Sequence, residues 1–197
     1  MFGSERWDQR CDQFVRAIVT RSRVISIPVT TGFQCAGCGK WHDELPLDLG
    51  YDEPMYVAEL DEDERARCVT KFGDFRELRR DGETHHFVRG VIEIPILGMN
   101  AVFRYGVWAS LSDESFKTAR AAYKEDVPAG PFFGWVSNRI EGYPDTTILK
   151  SQVHVRADTR PSIELEPTDH PLAVEQREGI TLERVQQIVQ RALHPAA

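Results

Sequence analysis

The stretch Phe87-Val88-Arg89-Gly90-Val91-Ile92-Glu93-Ile94-Pro95-Ile96 alternates between apolar and charged side chains, as a strand with one buried face does. Two charged residues lie on one face, and the other face carries the apolar residues Val88, Ile92, Ile94 and Ile96. The dipeptide Asp81-Gly82 precedes the stretch and favours a hairpin turn, because both central residues of such a turn take positive φ. The pattern therefore predicts a strand of an antiparallel sheet.

Further strands are predicted downstream of this one. Residues 97–100 indicate a second turn, and residues 101–111 indicate the next strand. Apolar alternation then predicts three more strands, over residues 132–136, 146–155 and 162–166.

Helices are predicted at both ends of the chain. Residues 4–20 place six apolar side chains on one helical face: Trp7, Cys11, Phe14, Val15, Ile18 and Val19. A final helix begins after the cap residue Thr181. Shorter helices are predicted over residues 61–68, where Asp61 and Glu64 form a capping box, and after the cap residue Ser112. Strands in the middle and helices at the ends predict an α+β fold with a largely antiparallel sheet.

The stretch Cys35-Ala36-Gly37-Cys38-Gly39-Lys40-Trp41-His42 predicts a zinc-knuckle-like loop. A Cys-x-x-Cys turn brings two sulfurs to one side of a loop, where a tetrahedral Zn²⁺ can bridge them. Gly39 suits the positive φ that such a turn needs. We therefore expect Cys35 and Cys38 to bind zinc, with His42 as a third ligand.

The remaining ligand is not fixed by the spacing, because no second Cys-x-x-Cys occurs. It is expected from water or from one residue of a distant set: Cys68, His85, His86, His154 or His170. Cys68 ends a predicted helix and is expected to pack rather than to bind metal. Free reduced thiols and a redox pair are the alternatives, although Gly39 and Pro46 argue against the helix that normally follows a redox motif.

Composition excludes some classes of function. A chain of 197 residues is long enough to bury roughly 70% of its unfolded surface, so zinc is not needed to rescue a small core. The net charge of −7 and the pI near 5.4 argue against nucleic acid and favour a basic protein partner. The start of the chain carries Glu5 and Asp8 and does not resemble a signal peptide, and no apolar run could span a membrane. We therefore expect a cytoplasmic protein with reduced thiols.

A recognisable set of motifs follows Phe33. Its members are Cys35-x-x-Cys38-Gly39-x-x-His42, Phe87-Val-Arg-Gly90, Gly106-Val-Trp108, Phe133-Gly-Trp135, Gly142-Tyr-Pro-Asp-Thr146, Arg160-Pro161 and the run from Glu164 to Ile180. In these motifs the chain resembles an uncharacterised bacterial family, domain of unknown function 2199. The resemblance begins at about Phe33, so we expect one α+β domain over residues 33–197, with residues 1–32 as an N-terminal helical extension outside it. The resemblance also implies a third cysteine before the Asp-Gly turn, where this chain has Arg76.

A second group of candidate residues surrounds His170. With Glu166 or Asp169 as a partner, His170 could act as a base or a metal ligand. Alternatively, Thr168, Asp169 and Pro171 start a helix that Gly179 ends. Capping explains these residues without catalysis and is the favoured interpretation.

Two functions are consistent with these patterns. The first is a zinc-stabilised binding module whose partner is a basic protein, for instance a toxin that it neutralises. The alternative is a metal-dependent hydrolase, in which Cys35, Cys38 and a histidine hold a zinc with an open water position. Sequence alone does not decide whether the protein is an enzyme.

Overall fold

The computed structural model describes residues 32–35 and 38–193, so the predicted helix over residues 4–20 and its Cys11 lie outside the described part. The strands are β1 (Phe33–Gln34), β2 (Trp41–His42), β3 (Asp48–Gly50), β4 (Val69–Phe72), β5 (Phe75–Arg80), β6 (Glu83–Pro95), β7 (Val102–Leu111), β8 (Ala129–Trp135), β9 (Lys150–Val155) and β10 (Ser162–Leu165). The helices are α1 (Met55–Ala58), α2 (Glu62–Cys68), α3 (Asp113–Glu125), α4 (Pro171–Glu178) and α5 (Leu182–Leu193). None of these described helices has the length and apolar character of a membrane span.

β6 confirms the strand predicted over residues 87–96 and extends it toward the N-terminus. It begins at Glu83, directly after the turn residues Asp81 and Gly82, whose φ values are 54° and 80°. Its alternation is also confirmed, because Val88, Ile92 and Ile94 are fully buried while Arg89 and Glu93 are half-buried on the other face. We call the face of Val88 the inner face and the face of Arg89 the outer face.

Three strands pair directly with β6. β5 pairs antiparallel with its first half, from Phe75↔Val88 to Arg80↔Glu83, and β10 pairs parallel with it at Ser162↔Val91. β7 pairs antiparallel with it on the opposite edge, from His86↔Leu111 to Pro95↔Val102. Of the other pairs in the described part, only β3 with β7 is parallel. The predicted α+β fold with a largely antiparallel sheet is confirmed.

The main sheet curls until its last strand meets β7 again. Its strand order is β3-β7-β6-β10-β9-β8, with β5 attached to β6 and β4 attached to β5. Val136, directly after β8, forms a bridge with Ala109 of β7, and the amide of Ser137 donates to the carbonyl of Trp108 at 2.7 Å. Gly134 permits this approach, because a Cβ there would lie 2.2 Å from the carbonyl oxygen of Ser110.

α3 packs its apolar side into the main core on the inner face. The helix is capped as predicted, since the amide of Ser115 donates to Ser112 Oγ at 3.2 Å. The buried side carries Phe116, Ala119 and Ala122, and the Phe116 ring meets Phe75 edge-on at 5.6 Å. Burying this side is what holds the helix to the sheet.

The outer face carries a second, smaller core beneath α1 and α2. Its fully buried members are Val57, Leu60, Leu78, Phe87 and Trp108. The predicted capping box of α2 is confirmed, because Asp61 Oδ1 accepts from the amide of Glu64 at 2.7 Å. Cys68 at the end of α2 packs against this core, as expected for a small apolar residue.

The chain before α1 is tied across the outer face by side chains from distant strands. Trp108 Nε1 donates to the carbonyl of Tyr51 at 3.1 Å, and Asn138 Nδ2 donates to the carbonyl of Glu53 at 3.0 Å. Asn138 is itself oriented by the amide of Trp108, which donates to its Oδ1 at 2.8 Å. These bonds satisfy buried polar groups that the smaller core would otherwise leave without partners.

Arg76 completes this arrangement from β5. Its Nε donates to Glu53 Oε2 at 2.6 Å, its Nη1 donates to the carbonyl of Gly73 at 2.6 Å, and its guanidinium lies 4.6 Å from the Trp108 ring centroid. The Arg76 and Glu53 side chains are only 11% and 13% exposed, so this ion pair is largely removed from water. The position that the family resemblance assigns to a cysteine is therefore filled here by a structural arginine.

Two boundary predictions were wrong. Residues 146–155 do not form one strand: Thr146–Ile148 is a 3-10 turn, and β9 begins at Lys150. The turn forms because Asp145 Oδ1 accepts from the amide of Thr147 at 3.0 Å, while the buried Thr146 hydroxyl donates to the carbonyl of Asn138 at 2.6 Å. Such side-chain bonds compete with the strand that the alternation predicts. The cap of α4 is also His170, one residue after Asp169 and two residues after Thr168.

We expect Arg76→Met to lower the free energy of unfolding by about 3 kcal/mol, because it leaves the largely buried Glu53 carboxylate without its closest cation. Arg80→Met, on the same strand but with a side chain that is 51% exposed and with ion pairs of 3.6 and 3.8 Å to Asp81 and Glu64, should change it by less than about 0.5 kcal/mol. Urea unfolding of both variants provides the comparison. Equal effects at the two positions would show that the Arg76–Glu53 pair contributes nothing specific.

The contribution of Glu53 should depend on pH in a defined direction. Burial alone would raise the pKa of Glu53, but the hydrogen bonds from Arg76 and Lys71 outweigh it and hold that pKa below its usual range. A carboxyl with a depressed pKa in the folded state stabilises the fold above its unfolded pKa of about 4.3, and this stability is lost as pH falls through the folded value. Glu53→Gln should therefore be less stable than the wild type near neutral pH, and the difference should disappear in acid. Unfolding free energies measured across that range test this, and a difference that persists unchanged in acid would contradict it.

Candidate metal centre

The β1–β2 hairpin holds the predicted ligands. Phe33 pairs with His42 and Gln34 with Trp41, and the intervening turn is closed by the amide of Cys35, which donates to the carbonyl of Lys40 at 2.9 Å. The amide of Gly39 donates back to the carbonyl of Cys35 at 2.8 Å. Gly39 has φ 69°, the left-handed conformation expected from the sequence, which other residues adopt only with strain.

The hairpin brings three donor atoms together. The Sγ atoms of Cys35 and Cys38 and a ring nitrogen of His42 all lie within 4.8 Å of one another, and Cys38 Sγ is 3.4 Å from His42 Nε2. Ligands of a tetrahedral zinc at the usual bond lengths lie roughly 3.5 Å apart. The observed spacing is therefore close to what a bound metal requires.

Burial differs among the three residues. Cys35 is fully buried in the main core, whereas Cys38 lies at the surface and His42 is half-buried. The ring of Phe33 stacks on the His42 ring at 5.2 Å between centroids, with an angle of 19° between the planes. This contact fixes the orientation of the imidazole from one side, as the outer shell of a metal site does.

Two thiolates and one imidazole form a donor set that suits zinc better than magnesium or calcium, which prefer oxygen. Within residues 32–35 and 38–193, no other Cys, His, Asp or Glu joins the cluster. The described part of the chain thus offers three ligands, which could hold a metal ion with one further position.

Comparison with known families agrees with the sequence motifs. Residues 34–180 match the family model described as an uncharacterized protein conserved in bacteria, DUF2199. The chain belongs to the DUF2199 family. No curated protein and no solved structure matches the chain. The matched region begins at Gln34, one position after Phe33. It includes all three cluster residues of this DUF2199 member.

The distant residues considered as further ligands have other partners in this DUF2199 protein. Cys68 packs in the smaller core, and His85 is exposed beside Glu83 at 3.6 Å. His86 is buried against the Phe116 ring, with centroids 4.5 Å apart. His154 lies 3.3 Å from Glu164. These side chains do not belong to the Cys35 cluster.

A helix starts directly after His170, in agreement with the interpretation that this segment caps a helix. Its Nδ1 accepts from the amide of Leu172 at 3.2 Å, and its own amide donates to Thr168 Oγ1 at 3.3 Å. Pro171 occupies the first helical position and Gly179 ends the helix. The cap is His170 itself rather than Thr168 or Asp169, because an imidazole nitrogen can accept the same bond as a hydroxyl or carboxylate.

A nearby ion pair fixes the C-terminal helices. Arg184 Nε donates to Glu175 Oε1 at 2.8 Å, and the hydroxyl of Tyr143 donates to the other oxygen of Glu175. Burial and the Glu175 carboxylate both raise the pKa of Tyr143, so this phenol stays protonated. Arg184 also lies over the Tyr143 ring at 5.4 Å. The charged segment around His170 therefore has a structural role in the described part of the chain.

Trp41, which no sequence pattern singled out, is 65% exposed on the hairpin that carries the ligands. The signal was available: Trp41 alternates with His42 on a strand, so one of the two side chains must point away from the metal cluster.

We expect protein purified without chelator to contain about one zinc per chain, and Cys35→Ser to lose most of it because a hydroxyl is a poor zinc ligand. Cys68→Ser is the matched control and should keep the metal, since Cys68 packs elsewhere. Elemental analysis measures both. Less than a tenth of an equivalent of zinc in the wild type, with Cys35 and Cys38 freely titratable, would show that the cluster does not hold metal.

Proposed function

We propose that this protein is a zinc-stabilised binding module that engages a basic protein partner. The observation that carries the proposal is the convergence of Cys35, Cys38 and His42 in one short hairpin. A toxin that the protein neutralises is one partner of this kind.

Zinc would stabilise a surface that the backbone holds weakly. β1 and β2 contain two residues each, and a hairpin this short is marginal in water without further support. A metal bound to Cys35, Cys38 and His42 would cross-link the turn to both strands. The hairpin would then present its exposed side chains in one fixed arrangement, which lowers the entropy cost of binding.

The hairpin carries an apolar anchor next to negative charge. Trp41 is 65% exposed, and the exposed residues Asp43 and Glu44 follow His42 directly. Exposed tryptophans are frequent energetic centres of interfaces, and a rim of like charge selects a partner of opposite charge. The net charge of −7 also favours a basic partner.

A metal-dependent hydrolase is the second candidate. It is supported by the number of donors, because a catalytic zinc keeps three protein ligands and an open position for water. His154 and His170 are each engaged away from the cluster, with Glu164 and with the start of α4, so neither supports it as a base. X-ray absorption separates the two candidates: four protein ligands would exclude the hydrolase, and three with water would favour it.

We expect the zinc-loaded protein, used as bait in native lysate, to capture a stoichiometric basic partner at low ionic strength and to release it at high salt, because surface charge attraction is screened. Trp41→Ala should reduce capture at least tenfold, a typical loss for a central tryptophan. Trp135→Ala, which removes another exposed tryptophan from β8, is the matched control and should leave capture unchanged. Capture that is equal in all three proteins, or absent at every ionic strength, would overturn the proposal.

A further inference from the structure

Arg89 lies on the outer face of the sheet, within electrostatic range of Arg160 and Arg76. Burial, followed by the charges of Arg160 and Arg76, lowers the pKa of the Arg89 guanidinium, and the charges of Asp74 and Asp52 oppose this shift. The Arg89 side chain is 22% exposed. Like charges this close to a half-buried guanidinium create a local positive potential that an anion would relieve.

The two flanking arginines are already matched with acids. Arg76 bonds Glu53 at 2.6 Å, and Lys71 bonds the other oxygen of the same carboxylate at 2.7 Å. Arg160 Nε lies 3.3 Å from Asp74 Oδ2, which also accepts from the Tyr123 hydroxyl at 3.1 Å. Both carboxylates are therefore occupied by other groups.

Arg89 has no comparable partner among the described residues. Its closest acid is Asp52, at 3.9 Å between Nη2 and Oδ1, and that side chain is fully exposed, so the attraction is weak. Its Nε is buried and makes no hydrogen bond to any described group. A buried charged donor without an acceptor is costly, which points to a ligand that supplies one.

The neighbouring strand leaves room beside Arg89. Gly50 of β3 pairs with Gly106 of β7, so two glycines lie side by side on the outer face. Neither has positive φ, and a Cβ on Gly106 would meet its nearest atom only at 3.5 Å, so the backbone does not require glycine there. A Cβ on Gly50 would lie 3.3 Å from Arg89 Nη2. Glycine within a strand often marks the close approach of a ligand, and here Gly50 places no side chain over the guanidinium.

The other acids of this face are held by further arginines. Arg104 lies 3.6 Å from Asp48 and 3.4 Å from Glu93, and Arg156 lies 3.0 Å from Glu93. Their charges are locally neutralised, so the acids whose charges act on Arg89 are Asp74, which is shared with Arg160, and the exposed Asp52.

We propose that Arg89, beside Gly50, binds the carboxylate or phosphate group of a small anionic ligand. The planar guanidinium provides paired donors that match either oxyanion. The ligand displaces Asp52 from Arg89 Nη2, the nitrogen that lies beside Gly50. This site is formed by β6 and β3, whereas the zinc hairpin is formed by β1 and β2. It does not depend on the proposed partner binding.

The test is a titration of the zinc-loaded protein with inorganic phosphate and, separately, with acetate, against chloride at matched ionic strength. Saturable shifts of the Gly50 amide and the Arg89 Nε–H in NMR spectra are expected. The oxyanion that binds more tightly identifies the ligand group. Absence of saturable shifts with both anions would overturn the proposal.

Variants make the assignment specific. Arg89→Lys keeps the charge but loses the paired donors, and Gly50→Ala covers the guanidinium with one methyl group; each should weaken binding about tenfold. Asp52→Asn should tighten binding severalfold, because it removes the competing carboxylate. Arg79→Lys, at an exposed arginine of β5, should bind as the wild type does. Binding that is unchanged in both Arg89→Lys and Gly50→Ala would place the anion elsewhere and overturn the proposal.

Discussion

The hydrogen-bonded pairing of β6 is the constraint on which the rest of the structure depends. This strand of thirteen residues pairs with β5, β7 and β10, and β3, β4 and β9 are attached through those neighbours. Its side-chain alternation is correct only in one register, because a slip of one residue would turn Val88, Ile92 and Ile94 toward the outer face. The long pairing with β7, ten residue pairs from His86 to Pro95, therefore fixes both cores at once.

The two faces of the sheet then take different roles. The inner face is apolar and is covered by α3, α4 and α5, so its stability comes from burial. The outer face carries arginines paired with acids, and among residues 32–35 and 38–193 the helices α1 and α2 cover its Trp108 end. Charged side chains held in ordered pairs on such a face are suited to recognising other charged groups, whereas an apolar face of the same size would aggregate.

Local signals allowed part of this structure to be predicted from sequence, and non-local contacts account for the remainder. Several predicted features involve residues only a few positions apart, so the sequence itself indicates them. These are the Asp81-Gly82 turn, the caps at Asp61 and Ser112 and the cysteine spacing. The parallel pairing of β10 with β6 joins residues about seventy positions apart, and the hydrogen bond from Asn138 Nδ2 to the carbonyl of Glu53 joins residues 85 positions apart. Such contacts produce no periodic pattern in the sequence. The Arg89 environment was missed for the same reason, because its neighbours come from separate strands.

The position of Cys35 decides what a metal could do for this fold. Cys35 is fully buried among main-core residues, while Cys38 is at the surface three residues later. A metal that binds both would connect the exposed turn to the core through one side chain. The core itself is large enough to persist without that connection. Metal loss should therefore loosen the loop that runs from residue 33 to residue 47 and leave the sheet folded. Zinc would thus control the order of the surface around Trp41, which is the property that a recognition surface requires.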